Sequence, residues 1–272
     1  MSEDILINVT PQETRVAIIE QGVVQELHIE RASARGIVGN IYMGKVIRVL
    51  PGMQSAFVDI GGERAAFLHV ADIWASRQSS NGAMPIERLI NEGQTIMVQV
   101  IKDPIGTKGA RLSTQISIAG RFLVYLPQES HIGISQRIES EEERQNLREK
   151  VQSLLPPDQT GGFIVRTMAE TASDRELASD IGYLRKLWKG IQEKAATAPG
   201  LTRLYQDLGL SLRVLRDFVN EDTSRILIDS GETCEAMLAF ANEFTPTVVA
   251  RIEHYSGGRP LFDLYGVEDE IE

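Results

Sequence analysis

The chain has 272 residues, a formal net charge of −10 and 42% hydrophobic residues, a composition typical of globular proteins with room for up to three small domains. No apolar run approaches the roughly 18 residues of a membrane-spanning helix, and the acidic start lacks the basic and apolar regions of a signal peptide. Cys234 is the only cysteine, which excludes an intrachain disulfide and a zinc site built from several thiolates of this chain. The sequence therefore predicts a cytoplasmic protein.

The first 38 residues predict a β-meander followed by a linker. Apolar segments at 5–9, 15–19 and 23–29 have the composition and length of strands, and Gln21 with Gly22 predicts a tight turn between the last two. Residues 31–38 lack a clear period and are expected to connect the meander to the next domain.

Residues 39–115 predict a small closed β-barrel, because short alternating segments are separated by glycines. Phe57 and Phe67 flank a predicted turn at 60–64, which puts them on adjacent strands. Val58 alternates with Phe57 and is expected to fill the barrel, which leaves Phe57 on its outer surface. The alternative is that both rings belong to the core, the usual place for a phenylalanine in a strand.

Positive charge is concentrated in the same part of the chain. Residues 36–125 carry nine Lys and Arg against six Asp and Glu, a local charge of +3 that leaves −13 for the remainder. Six of these cations surround the rings in sequence: Lys45, Arg48, Arg64, Lys102, Lys108 and Arg111. Rings beside cations stack unpaired bases and neutralise phosphates, so we expect single-stranded nucleic acid to bind here, RNA above all. A charge division without function, and a solvated Lys108 at a loop tip, are the alternatives.

The remainder of the chain predicts alternating strands and helices. Strands are expected at 122–126 and 161–167, a helix from Ser140 to about residue 155, and a second helix that starts at Ser173 and ends before a break at 195–202. Further on we expect a helix from 211, a strand at 225–229, a helix at 233–243, a strand at 248–253 and the start of a helix at 267–272. The sequence therefore predicts an α+β protein.

Arg166 and Thr167 form a second candidate site at the end of a predicted strand. A guanidinium group offers a fork of donors to phosphate oxygens, and the adjacent hydroxyl adds another. A terminal phosphate monoester carries about two charges near neutral pH, so this pair could select it over a diester. An ordinary surface ion pair between Arg166 and Glu170 is the alternative.

We expect no catalytic and no metal-binding residue in this chain. Its four histidines (His28, His69, His131 and His254) lack the spacing of metal ligands, and Asp229 has no evident carboxylate partner. Cys234 lies in an apolar helical segment, where a buried inert thiol is expected.

Seven segments of the chain match those of a known protein family: 6–17, 36–42, 50–61, 103–112, 134–140, 161–167 and 262–271. On these segments the chain resembles the ribonuclease E/G family over its full length. Two of them, through residues 51–53 and 103–108, favour the ribonuclease G branch over the ribonuclease E branch.

This resemblance implies an architecture and two sets of binding residues. Residues 1–35 and 211–272 would form a non-catalytic ribonuclease-H-like unit, 36–115 a five-stranded OB-fold RNA-binding domain, and 116–210 an α/β 5′-sensor domain. By similarity, the strand of RNA would be held by Phe57, Phe67 and Lys108. The pocket for its 5′-monophosphate would be formed by Gly120, Val124, Arg166 and Thr167.

The resemblance also implies what this chain lacks. The family's magnesium-binding aspartates, its inter-subunit zinc segment and one arginine of the sensor pocket would lie beyond residue 272. The parent protein would then be a magnesium-dependent, homo-oligomeric endoribonuclease for ribosomal RNA processing and RNA decay. This chain is expected to bind RNA without cleaving it, as a monomer or weak dimer. The alternatives are a stand-alone RNA-binding regulatory module and a scaffold whose barrel binds another protein.

Overall fold

The computed structural model describes residues 2–77 and 84–271. Within them the strands are β1 (Glu3–Val9), β2 (Glu13–Glu20), β3 (Val23–Arg31), β4 (Ile41–Leu50), β5 (Ser55–Asp59), β6 (Ala66–His69), β7 (Thr95–Lys102), β8 (Arg111–Ser113), β9 (Ile118–Ala119), β10 (Leu123–Leu126), β11 (Ile132–Ile134), β12 (Gly162–Val165), β13 (Thr202–Tyr205), β14 (Thr223–Ile228) and β15 (Ile252–His254). The α-helices are α1 (Trp74–Arg77), α2 (Glu141–Leu154), α3 (Asp174–Thr197), α4 (Leu210–Arg213), α5 (Gly231–Phe244), α6 (Leu261–Leu264) and α7 (Val267–Ile271). No helix in these ranges is long and apolar enough to cross a membrane.

The chain divides into two compact units, Met1–Arg35 with Leu208–Glu272, and Gly36–Asp207. The first is built on a five-stranded sheet of order β15-β14-β1-β2-β3, in which β1 runs parallel to β14 and antiparallel to β2. Ile5 and Ile7 of β1 pack in a core with α5, and Leu6 packs in another with α6 and α7. Burial on both faces explains why β1 carries a continuous apolar run.

A closed β-barrel forms the first part of the second unit. Its strands follow the order β4-β5-β6-β8-β7, and pairing of β4 with β7 closes the circle. Only β6 and β8 run parallel among these five strands. The interior is filled by side chains, among them Val46, Ala56, Val58, Leu68, Val98 and Leu112.

The remainder of this unit is a four-stranded sheet, β11-β12-β10-β9, with α2 and α3 packed against it. Ser173 begins α3 with a reciprocal capping box to Glu176, which satisfies two N–H groups of the first turn. Leu177, Ile181 and Leu184 lie on the buried face of α3, as an amphipathic helix requires. Strand β13, after α3, pairs with β4 of the barrel.

The predicted α+β fold class with a five-stranded barrel is confirmed, as are the three meander strands and the helices that follow Ser140 and Ser173. The prediction of a strand at 248–253 is wrong over most of its length. Pro246–Arg251 forms a 3-10 helix, because proline favours the first position of a helical turn, and β15 starts only at Ile252. The break expected at 195–202 begins later, since α3 continues to Thr197. Strands β9, β11 and β13 were not predicted.

Phe163 tests the core of the second unit. Its side chain is fully buried, 5.1 Å from the ring of Tyr125 between centroids. Phe163→Ala is expected to lower the free energy of unfolding by about 3–5 kcal/mol. Urea denaturation followed by tryptophan fluorescence measures this, because Trp188 packs near Tyr125. Phe57→Ala, which truncates a half-buried ring, is the matched control and should cost clearly less; equal losses would contradict the packing described.

Candidate nucleic-acid interface

Two phenyl rings stand on the outer surface of the barrel. Ala56 and Val58, on either side of Phe57, are fully buried, whereas the Phe57 ring is half-buried. Phe67 shows the same pattern on β6, directly opposite Phe57 in the register. The two ring centroids are 6.2 Å apart with an interplanar angle of 66°, an edge-to-face pair. Each ring therefore keeps part of its surface accessible to a flat ligand.

The strand register extends this pair into a row across the barrel. Arg48 of β4 pairs with Phe57, and Phe67 pairs with Arg111 of β8. Arg111 in turn pairs with Lys102 of β7. Residues opposite each other in a sheet project to the same face. The outer surface thus carries two neighbouring rings with cations on both sides.

A cleft with a volume of about 850 Å³ lies over the part of this row that runs from Phe57 to Lys102. The large apolar side chains that line it are those of Met53, Phe57, Phe67 and Ile105. Its cations are Arg64, Lys102, Lys108 and Arg111, against the single carboxylate of Asp103 among the residues that line it. Positive charge around an apolar floor favours a ligand that is both flat and anionic.

The loop at 103–109 carries Lys108 to the edge of the cleft. Ile105 and Lys108 exchange backbone hydrogen bonds of 3.2 and 3.0 Å, and Gly106, with φ of +57°, occupies the place that a two-residue hairpin turn reserves for glycine. A guanidinium nitrogen of Arg64 donates to the carbonyl oxygen of Gly106. The structure therefore brings Lys108 to the same cleft as Phe57 and Phe67, the three residues that the sequence singled out.

Two carboxylates near the cleft are engaged by the protein itself. Asp72, which is buried, accepts a hydrogen bond from Nε of Arg111 at 2.8 Å and forms an ion pair with Nη2 of the same guanidinium, also at 2.8 Å. Asp103 accepts from the backbone N–H of Ile37 at 2.6 Å. The contact with Asp72 orients Arg111, and the contact of Asp103 with Ile37 fixes the start of the loop at 103–109.

The second candidate site lies where β12 ends. Nη1 of Arg166 donates to the carbonyl oxygens of Gly120 and Arg121, at 2.6 and 3.0 Å. Val124 lies on β10, half-buried and opposite Ile164 of β12. Thr167 begins the 3-10 helix that follows Arg166. The structure thus joins Gly120 directly to Arg166 and places Val124 and Thr167 on the adjacent strand and helix.

A buried carboxylate binds the backbone of the turn that carries Gly120. Asp180 of α3 accepts hydrogen bonds from the backbone N–H groups of Arg121, Phe122 and Leu123, at 2.8–2.9 Å. Burial raises the pKa of the Asp180 carboxyl, and the three N–H donors oppose that rise. A Cβ at Gly120 would collide with this carboxylate. Glycine is therefore needed where the turn passes over Asp180.

Sequence reasoning did not identify Met53 and Ile105 as cleft residues. Each follows a proline within two positions and adjoins a glycine, in the segments 51–53 and 104–106. Such segments form exposed turns, where an apolar side chain has no core to enter. An apolar residue within a predicted turn was thus the sequence feature that could have identified Met53 and Ile105 as exposed.

Neither a metal centre nor a reactive thiol is evident in the part of the chain that the structure describes. No group of three or more His, Cys, Asp or Glu side chains there could hold a metal ion. Cys234 is buried, and burial raises the pKa of its thiol, as expected for an inert cysteine. The described residues therefore do not fit a catalytic metal.

Comparison with known proteins gives matches over the whole chain. Residues 117–272 match the model of the ribonuclease E/G family, and residues 37–115 match the S1 RNA binding domain. Ribonuclease G of Escherichia coli (strain K12) is 50% identical over 279 residues, covering 100% of this chain and 57% of that protein. Ribonuclease G of Haemophilus influenzae is 48% identical over 276 residues, covering 99% and 56%. Ribonuclease E of Escherichia coli (strain K12) is 36% identical over 274 residues, covering 98% and 26%. The chain thus spans little more than half the length of the ribonuclease G relatives.

The contact between Asp180 and the turn can be tested by removing one acceptor. Asp180→Asn places an amide donor against backbone donors, which should lower the free energy of unfolding by about 1–3 kcal/mol. Glu193→Gln, on the exposed side of the same helix, is the matched control and is expected to leave stability within about 0.5 kcal/mol. Urea denaturation measures the free energy of unfolding of both variants. If Asp180→Asn is as stable as the wild type, the carboxylate does not stabilise the turn.

Proposed function

Because this chain belongs to the ribonuclease E/G family, we propose that it is the RNA-recognition portion of a single-strand-specific endoribonuclease of RNA processing and decay. The observation that carries the proposal is the row in which Phe57 and Phe67 are flanked by Arg48 on one side and by Arg111 with Lys102 on the other. This row lies within the residues that match the S1 RNA binding domain.

Single-stranded RNA fits the chemistry of the cleft better than a duplex. Exposed phenyl rings bind bases by stacking, which requires bases that are not already paired and stacked. The cations around the rings are suited to phosphates along the strand. The acidic remainder of the chain repels RNA, which favours binding in the cleft over binding elsewhere.

We further propose that Gly120, Val124, Arg166 and Thr167 recognise a 5′-monophosphate. Support comes from the fixed position of Arg166, whose Nη1 is bound by two carbonyl oxygens of the turn at Gly120. A guanidinium held in this way is oriented before the ligand arrives, which reduces the entropy cost of binding. The hydroxyl of Thr167 would add a donor to the same phosphate.

Cleavage belongs to the proposal for the whole protein. The parent enzyme would use magnesium for hydrolysis of RNA phosphodiesters and would share zinc between subunits of a homo-oligomer. Binding without cleavage by this chain, its monomeric or weakly dimeric state and a cytoplasmic location stay predictions. So do the ribonuclease-H-like unit (1–35 and 211–272), the OB-fold domain (36–115) and the 5′-sensor domain (116–210).

The RNA-binding proposal is tested by separating stacking from charge. Phe57→Ala is expected to weaken binding of a single-stranded RNA oligonucleotide by about 1–3 kcal/mol with the salt slope unchanged. Lys108→Met should flatten the slope of log K against log salt by about 0.7, since one phosphate contact is lost. Lys194→Met, exposed on α3 and outside the cleft, is the control. Fluorescence anisotropy across a salt series measures all three, and wild-type binding that does not depend on salt would refute the proposal.

The 5′-phosphate proposal makes a separate prediction. Arg166→Ala and Arg166→Lys are both expected to bring the affinity ratio between 5′-phosphorylated and 5′-hydroxyl RNA to about one, because lysine lacks the guanidinium fork. Arg175→Ala, an exposed position on α3, should keep the wild-type ratio. The measurement is binding of the matched oligonucleotide pair to each variant. Discrimination that survives both changes at Arg166 would put the phosphate pocket elsewhere.

A further inference from the structure

Two apolar side chains in the cleft are exposed to an unusual degree. Ile105 is 73% exposed and Met53 is 60% exposed, the two highest values for large hydrophobic side chains in the described residues. Both line the cleft that contains Phe57 and Phe67. Exposure of a large apolar side chain costs free energy that burial against a ligand would recover.

Met53 and Ile105 lie at opposite ends of the ring pair. Met53 lies two residues before β5, whose first residue, Ser55, pairs with the last residue of β6. The loop that carries Ile105 contacts the other end of β6, because a Cβ at Gly109 would overlap the carbonyl oxygen of Ala65. The apolar line from Met53 through the rings to Ile105 therefore runs along β5 and β6.

Hydrogen bonds within the loop and to it fix the position of Ile105 on the surface. The backbone bridge between Ile105 and Lys108 closes the turn, and Arg64 binds the carbonyl oxygen of Gly106. Such a constrained loop presents Ile105 without a large ordering cost when a ligand binds.

We propose that Met53 and Ile105 are additional base-contact residues, which bind the nucleotides on either side of those stacked on Phe57 and Phe67. This inference rests on the proposed binding of single-stranded RNA in the cleft. RNA is the occupant that the charges favour, because four cations line the cleft and its carboxylate, Asp103, is bound to a backbone N–H. The bound strand then follows β5 and β6, and the cleft contacts more nucleotides than the ring pair alone.

The test uses the full chain and 5′-hydroxyl oligouridylates of increasing length, up to roughly 12 nucleotides, within the site sizes of single barrels. Met53→Ser and Ile105→Ser are each expected to leave the shortest bound oligonucleotide unaffected and to weaken the longer ones about fivefold to tenfold. Phe67→Ala should weaken all lengths. Ile47→Ser, at another exposed isoleucine of the barrel outside the cleft lining, should change none.

Each other result decides against the inference. Equal losses at every length would place Met53 and Ile105 on the same nucleotide as the rings, and no loss at any length would remove them from the interface. In both cases, binding by the wild type and its loss in Phe67→Ala would leave the proposed function standing. Absence of salt-dependent binding by the wild type would overturn the proposed function and this inference together. Tryptophan fluorescence on urea denaturation verifies that the serine variants remain folded.

Discussion

The filled interior of the barrel is the constraint on which the candidate interface depends. Ala56, Val58 and Leu68 occupy that interior and are fully buried. Because side chains alternate along a strand, the residues between them have to face outward, whatever their hydrophobicity. Phe57 and Phe67 are therefore exposed by the packing of their neighbours. Pairing of β4 with β7 closes the barrel, and its filled interior leaves no room for either ring to turn inward.

The arginines and the lysines around the cleft have different roles. Arg111 is held by the buried carboxylate of Asp72, and Arg64 is bound to the carbonyl of Gly106. The guanidinium N–H groups of these two side chains connect strands to loops by hydrogen bonds, as the geometry of guanidinium allows. Lys102 and Lys108 are exposed and present compact charges at the cleft. A local excess of positive charge in an acidic chain thus serves both rigidity and attraction of an anion.

How far the sequence could predict this molecule depended on the range of the interactions. Alternation around Phe57 and the loop tip expected at Lys108 are local features, and both led to residues that lie in one cleft. The pairing of Arg48 with Phe57 depends on an irregularity in the register after Val46, which has no sequence signal of its own. Strands of two to four residues, such as β9 and β13, are determined by their partners. The 3-10 helix at Pro246 shows local turn chemistry overriding an apolar pattern typical of a strand.

The turn at Gly120 is stabilised by two side chains of opposite charge, one bound to its N–H groups and the other to its carbonyl oxygens. Its N–H groups point to the carboxylate of Asp180, and its carbonyl oxygens point to the guanidinium of Arg166. Each charge is compensated by backbone dipoles as well as by the other charge, so both can remain in a partly buried site. Since Asp180 lies on α3, the position of Arg166 depends on the packing of that helix. Recognition of a phosphate by Arg166 would therefore be sensitive to changes in α3 that do not touch the ligand.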